Sequence, residues 1–271
     1  MTATHPTVPI ALSIAGSDSS GGAGIQADLK TFEALGTYGA TVLTALTAQN
    51  TVGVTAVHDV PPDFVRAQLR AVFDDLDVRA TKIGMLSRVV TIEAVRAELD
   101  AAEARHVVLD PVMVAASGAR LLEIDAVEAL VRVLLPRAEV VTPNLLEAAA
   151  ILGVAVAATP AEMRAQAEAL RALGAQAVLV KGGHGEGAEC VDVLVTADGL
   201  HTYSAPRVPG PARHGTGCSL SSAIAAGLAH GATLERAVAD AKTWLTGAIS
   251  AADALQVGHG AGPVFHGYRR A

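Results

Sequence analysis

Short runs of Val, Ile and Ala alternate along this chain with longer Ala- and Leu-rich segments whose apolar residues recur at helical spacing. That alternation constrains the fold more than any other feature, because repeated βα units close into a mostly parallel sheet with helices on both faces. Strands are predicted at Ile10-Ala15, Gly39-Ala45, Ala80-Ile83, His106-Leu109, Val140-Thr142, Ala177-Val180 and Val191-Val195. Helices are predicted at Gly24-Leu35, Pro62-Leu76, Val90-Ala104, Ile124-Leu134, Asn144-Leu152 and Pro160-Leu173. After Val208 the pattern changes to a glycine-containing turn and two long helical runs, Gly217-His230 and Leu234-Ala252. With 51% hydrophobic but only 3% aromatic residues, the interior must be aliphatic and layered. The expectation is one α/β domain over residues 1–271, a three-layer, doubly wound sheet flanked by helices.

Charge and cysteine usage exclude several functions. Twenty Lys and Arg stand against 27 Asp and Glu, a net charge of -7, and no basic stripe with interleaved aromatics is present. This argues against nucleic acid as a partner. Cys190 and Cys218 lie at unrelated positions, which points to neither a disulfide framework nor a zinc site. Apolar stretches such as Thr41-Ala48 fall short of the roughly 20 residues a membrane span needs. The start MTATHPTVP lacks the basic and apolar regions of a signal peptide. The expected location is the cytoplasm, with no membrane partner.

In open α/β sheets ligands bind beyond the carboxyl ends of the strands, so the loops after strands are the places to look for chemistry. Gly16-Ser-Asp-Ser-Ser-Gly-Gly-Ala-Gly24 follows the first strand and contains a G-x-G-x-x-A match at Gly22-Ala27. A nicotinamide site would need an acidic residue about 20 residues on. None stands between Glu33 and Asp59. The loop reads as a small-ligand site or as a tight turn. Gln49-Asn50 follows the run Thr41-Ala48, and a side-chain amide can pair with a ring nitrogen and an exocyclic amine at once, or simply cap a turn. Asp110 ends a Val/Leu strand and is followed by Pro-Val-Met113 and by Ser117-Gly118, so it either holds hydrated magnesium or caps the turn. Asn144 can cap a helix, with Glu147 three residues inside it, or the two can offer hard oxygens to a magnesium carried by phosphates. Lys181-Gly182-Gly183-His184 places a cation before flexible backbone, suited to nucleotide phosphates or to plain solvation.

His214-Gly-Thr-Gly-Cys218 is the most informative segment. Glycines before a helix let backbone N-H groups converge, and the helix N-terminus favours an anion there. No G-x-x-x-x-G-K-[ST] motif occurs, so this is not a Walker loop. Cys218 sits at the predicted helix start, where its thiol is expected to be acidified enough to take a proton from an attacking hydroxyl; a buried small cysteine is the alternative.

Taken in order, Ala15-Gly-Ser-Asp-Ser-Ser-Gly-Gly-Ala-Gly-Ile-Gln-Ala-Asp-Leu-Lys30, Thr44-Ala-Leu-Thr-Ala-Gln-Asn50, Lys82-Ile-Gly-Met85, Asp110-Pro-Val-Met113, Thr142-Pro-Asn144, Lys181-Gly-Gly-His184 and His214-Gly-Thr-Gly-Cys218 form a recognisable set. The chain closely resembles the hydroxymethylpyrimidine/phosphomethylpyrimidine kinases of thiamine biosynthesis, nearly to its end at Val257-Gly-His-Gly-Ala-Gly-Pro263. The resemblance implies a ribokinase-like fold, a homodimer, ATP and Mg2+, and two successive phosphorylations at one site, first of the alcohol and then of its monophosphate. It implies that Gln49 reads the aminopyrimidine, that Gly16, Asp28 and Met85 line its pocket, and that Val112 contacts it through the main chain. It further implies that Asn144, Lys181, Gly182, Gly183 and Thr216 bind nucleotide, that the backbone of Gly215, Thr216 and Gly217 holds phosphate, that Asp110 and Glu147 serve magnesium, and that Cys218 is the base. Related sugar and pyridoxal kinases carry Asp at the position of Cys218. Ser19 stands where the family often has Pro, Ser219 where it often has Thr, and Ala116 where many relatives have Lys. A pyridoxal-type kinase of the same fold is the alternative, and a nicotinamide dehydrogenase or a non-catalytic pyrimidine sensor fits the residues less well.

Overall fold

The structure, a computed structural model, describes residues 8–113, 124–183, 185, 187–210 and 213–270. Ala116, Ser117-Gly118 and His184 lie outside the described residues. Among the described residues, ten strands run in chain order as β1 (Ile10–Ala15), β2 (Tyr38–Leu43), β3 (Ala45–Gln49), β4 (Val54–Asp59), β5 (Val78–Ile83), β6 (Val107–Leu109), β7 (Val140–Val141), β8 (Ala177–Val180), β9 (Glu189–Val195) and β10 (Leu200–Pro206). The α-helices are α1 (Gly24–Ala34), α2 (Pro62–Phe73), α3 (Val89–Ala101), α4 (Ile124–Ala129), α5 (Leu145–Leu152), α6 (Pro160–Ala172), α7 (Thr216–Ala229) and α8 (Leu234–Ser250).

Eight strands form one sheet in the order β10-β9-β8-β7-β6-β5-β1-β2. The pairs from β2 through β8 are parallel, whereas β9 and β10 add an antiparallel edge. Alternate residues of each strand feed opposite layers, as the period of two requires. On β1, Leu12 and Ile14 join the core built with α2, α3, α5 and α6, while Ala11 faces the core of α1, α7 and α8. The second core is lined by Ala11, Ala80 and Ala177 on the strands and by Ala223, Ala225 and Ala226 on α7, so small side chains let that helix approach the sheet closely.

Where the chain departs from the sequence expectation, the cause is local. The predicted strand Gly39-Ala45 ends two residues early, because Thr44 donates its hydroxyl to the Met85 carbonyl (2.8 Å) and its N-H to Ala15 (3.0 Å), drawing the chain off the sheet. It then forms the separate β3-β4 hairpin, whose turn is held by the Asn50 side chain accepting from Val52 and Gly53 N-H. Neither β4 nor β10 was anticipated. The expected helix Ile124-Leu134 is α-helical only to Ala129 and widens to a π turn at Leu130–Leu134. Pro136 follows within a turn and has no N-H to continue the ladder. Asn144 does cap α5: its side chain accepts from Glu147 N-H (2.9 Å), and the Glu147 carboxylate accepts from Asn144 N-H (2.8 Å).

Candidate active site

The chain reverses its winding between β1 and β5, which are neighbours in the sheet although β2 also pairs with β1. A crevice at the carboxyl ends of such strands is the expected ligand position. Gly16 leaves β1 there, and a Cβ on it would lie 3.3 Å from Met85 Sδ, so these two predicted residues are in contact. Gly24, with φ +55, would place a Cβ 2.3 Å from the Gly16 carbonyl oxygen, which makes the loop's return possible only for glycine.

Asp18 organises this loop. Its Oδ1 accepts from Ser20 N-H and hydroxyl, and its Oδ2 accepts from Gly22 N-H (2.9 Å), Ala23 N-H (2.7 Å) and His214 Nε2 (2.9 Å). Burial alone would raise the carboxyl pKa, but these donors, led by His214, outweigh it and hold Asp18 well below the usual carboxylate range.

Across the crevice, Gly215 precedes α7 with φ +79, and a Cβ there would sit 1.9 Å from the Gly22 carbonyl oxygen. Only glycine fits. Among the described residues no side chain caps α7, so the N-H groups of Thr216, Gly217 and Cys218 face the crevice without an intrahelical acceptor. A Cβ on Gly217 would lie 3.3 Å from Lys181 Nζ and 3.8 Å from Asp110 Oδ2. The glycine turn, the β8-end cation and the β6-end carboxylate therefore converge.

Lys181 Nζ donates to Asp110 Oδ1 (2.7 Å), and Ser221 reaches Asp110 Oδ2 at 3.3 Å. Burial works against the Lys181 charge, yet Asp110 and Glu147 raise its pKa. Glu147 is the opposite case. Burial pushes its carboxyl up to about 7, Lys181 opposes the rise and Asp110 adds to it. Among the described residues no cluster of three or more His, Cys, Asp or Glu side chains could cage a metal alone. Two hard-oxygen donors beside a phosphate-sized anion site still suit magnesium, which retains waters and completes its shell with phosphate oxygens.

Two expectations are corrected here. Asp28 is fully buried and does not line the cavity that Gln49 borders: its oxygens accept from Lys82 Nζ (2.9 and 2.8 Å), Ser222 (2.7 Å) and Ser13 (2.6 Å). Each carboxylate oxygen already has two donors, which leaves none of its lone pairs for a ligand. The Cys218 thiol is not acidified either. Burial raises it to about 11, with Lys82 pulling down and Asp28 and Asp110 pushing up, although Gly24 N-H donates to the sulfur. Desolvation beneath two carboxylates outweighs the helix N-terminus.

Gln49 closes β3 on the wall of a cavity of about 220 Å³, shared with Asn50, Gly53, His214, His259 and Gly260. Its main chain is tied to Ser19 in both directions (2.6 and 2.9 Å), and its amide meets Thr47 (3.1 Å) and His214 (3.0 Å). Val112 is half-buried, and its N-H is already taken by the Asp110 carbonyl (2.8 Å), which leaves only its carbonyl for a ligand.

The sequence model of the phosphomethylpyrimidine kinase family matches residues 18–265. A hydroxymethylpyrimidine/phosphomethylpyrimidine kinase of Rhizobium meliloti is 60% identical over 260 residues, covering 96% of this chain and 97% of that protein. The chain belongs to the phosphomethylpyrimidine kinase family. Among solved structures, the Clostridium difficile phosphomethylpyrimidine kinase superposes with a TM-score of 0.78 at 44% identity, covering 89% of this chain and 98% of that one. The ADP complex of Bacillus subtilis pyridoxal kinase superposes with a TM-score of 0.89 at 37% identity, covering 97% and 99%. The family fold, ribokinase-like with three layers, is the one described above.

For a phosphomethylpyrimidine kinase the residues brought together are Gly16 with Met85, and Asp110, Lys181 and Gly217 with the turn Gly215 to Cys218. Asn144 and Glu147 share one cap beside them, while Gly182 and Gly183 continue from Lys181. Sequence reasoning assigned no role to Asp18, His214 or Lys82. An Asp two residues before Ser20 is an Asx-turn signal that marks Asp18; Lys82, an apolar-strand lysine, carries no such mark.

Proposed function

We propose that this chain uses ATP to phosphorylate the hydroxymethyl group of 4-amino-5-hydroxymethyl-2-methylpyrimidine, and then its monophosphate to the diphosphate, in thiamine biosynthesis. The observation that carries the reading is the convergence of Lys181, Asp110 and the uncapped glycine turn at the sheet's switch point. The substrate hydroxyl oxygen attacks the γ-phosphorus, the bond to the bridging oxygen of ADP breaks, and the hydroxyl proton leaves to a nearby acceptor. Phosphoryl transfer passes through a loose transition state that asks little covalent help of the protein. Charge spreading over the equatorial oxygens is met by the N-H groups of Thr216, Gly217 and Cys218 and by the Lys181 ammonium. Gly182 and Gly183 let the backbone lie close to the nucleotide. Asp110 and Glu147 would hold magnesium, which when bound neutralises phosphate charge. Because attack precedes most of the proton's departure, the proton can pass late to an oxygen of the transferred phosphoryl group, and Cys218 can act as the base only through its minor thiolate form. Gln49 reads the pyrimidine edge, Met85 and Gly16 bound the ring, and Asp28 with Lys82 supports α7 from below.

The whole chain serves as one catalytic unit, in the cytoplasm, where ATP is available, and as a homodimer. The hairpin supports the dimer: Leu46, Ala48, Ala56 and His58 share one exposed face, and a two-stranded sheet is marginal unless a further surface covers it. Leu46→Glu should shift the mass measured by light scattering from dimer to monomer. Likeness to the Bacillus subtilis pyridoxal kinase favours a second reading, phosphorylation of pyridoxal by the same site. Incubating the protein with ATP, magnesium and hydroxymethylpyrimidine, its monophosphate or pyridoxal in parallel, with products resolved, decides between them. A pyrimidine diphosphate is expected; pyridoxal phosphate as the sole product would overturn the first reading.

A further inference from the structure

The ring of His214 poses a donor problem that only one arrangement solves. Its Nε2 lies 2.9 Å from Asp18 Oδ2 and 3.0 Å from the Gln49 amide nitrogen. Asp18 is a carboxylate held well below the usual range, and a carboxylate only accepts. His214 Nε2 must therefore carry a hydrogen and donate it. With the Gln49 amide nitrogen turned to the same atom, two donors would face each other. The far end of the amide has the matching difficulty. Thr47 Oγ1 owns one hydrogen, which goes to the Ser17 carbonyl (2.8 Å), yet the Gln49 oxygen 3.1 Å away would need it too. Which way an amide points is assigned from its hydrogen-bond network. Rotating the Gln49 amide by 180° removes the donor-donor clash: its oxygen shares the His214 Nε2-H with Asp18 Oδ2 in a three-centre bond, and its nitrogen donates to Thr47 Oγ1.

We infer that Asp18 and His214, with Thr47, form a positioning relay that locks the Gln49 amide in this one orientation and thereby makes the site select an amino pyrimidine over its oxo counterpart. Locked in this way, Gln49 keeps one free N-H and one free oxygen lone pair at fixed ends. A ring nitrogen beside an exocyclic amine offers an acceptor and then a donor. The 4-oxo ring offers the reverse, a ring N-H and a carbonyl oxygen. A freely rotating amide would read both edges by turning over. One held at each end reads a single edge. None of the three touches the reacting phosphate in this scheme, so they act through Gln49.

The inference rests on the pyrimidine reading above, and two measurements keep their failures apart. Nitrogen-15 spectra of the ligand-free protein should show His214 Nε2 protonated. An unprotonated Nε2 with the hydrogen on Nδ1 would overturn the relay whatever the substrate. The ratio of kcat/KM for 4-amino-5-hydroxymethyl-2-methylpyrimidine to that for its 4-oxo analogue then tests selection. A bidentate hydrogen-bonding contact discriminates by about ten- to a hundredfold, so His214→Phe should reduce the ratio by about that factor. Thr47→Val, which frees the other end of the amide, should reduce it in the same direction and serves if the first variant misfolds. A merely structural loss would lower both substrates together and leave the ratio alone, which refutes the inference. A parent protein that phosphorylates neither pyrimidine removes the substrate reading and the selection with it, while the imidazole spectrum still decides the relay.

Discussion

Cys218 offers the most direct check on the electrostatics of the crevice. Its thiol is raised from 9.0 to about 11, burial being the main cause. Thiolate, not thiol, reacts with alkylating agents. At pH 8 an unshifted group of pKa 9.0 would be about one-tenth ionised, and one at about 11 only about one-thousandth, a hundredfold deficit at equal access. Alkylation by iodoacetamide should be followed by mass spectrometry of the Cys218 peptide from pH 6 to 10.5, in a Cys190→Ser background. The logarithm of the rate should climb with unit slope throughout and show no plateau near pH 8.5. Lys82→Met, which removes a cation pulling the thiol down, should depress the rate further if the fold is retained, judged by circular dichroism. A plateau at or below pH 8.5 would show that the helix N-terminus prevails over burial, and the argument that burial keeps Cys218 un-ionised would fail.

Three further outcomes follow from the same geometry. Asp192 and Lys242 form a buried pair (2.7 Å) whose other carboxylate oxygen takes Gly182 N-H (2.8 Å), so Asp192→Asn should destabilise by about 3–5 kcal/mol in urea titration and raise the KM for ATP more than it lowers kcat. An unchanged KM for ATP would separate that pair from the nucleotide loop. Glu147 has a folded pKa near 7, above its ordinary 4.5, so its contribution to stability is fully present below pH 4.5 and is lost as pH rises through 7. In metal-free buffer Glu147→Gln should flatten that decline, and it should raise the magnesium concentration giving half-maximal rate; an unaltered pH profile would refute the shift. Gly215→Ala would force a side chain into φ +79 and against the Gly22 carbonyl, and should abolish phosphoryl transfer while lowering Tm, as measured by product formation and calorimetry.

The sheet was legible because its strands are buried on both faces and read as unbroken aliphatic runs, Val107–Leu109 and Ala177–Val180 among them. The β3-β4 hairpin was not, because Leu46, Ala48, Ala56 and Val57 carry little periodicity of their own and the break at Thr44 depends on a carbonyl 41 residues away. The cap formed by Asn144 and Glu147 was visible in its three-residue spacing. The fate of Asp28 was not visible, since its partners Ser13, Lys82 and Ser222 come from three separate elements. The thiol shift was misread for a related reason: a helix start is local and can be seen in sequence, whereas the carboxylates that oppose it arrive through the fold.

That cap has a consequence for how the site meets its metal. A free glutamate surrenders up to about 1.5–2 kcal/mol of rotamer entropy when something first immobilises it. In α5 the Glu147 side chain is immobilised by the Asn144 N-H as the helix begins, so that loss is incurred during folding and is absent from the later association step. The Asn144 and Met113 N-H groups both donate to this carboxylate, so part of its lone-pair capacity is committed before magnesium arrives. An ion that demanded every remaining lone pair would have to compete with these backbone donors, so the helix start sets a cost that grows with the number of contacts a cation requires.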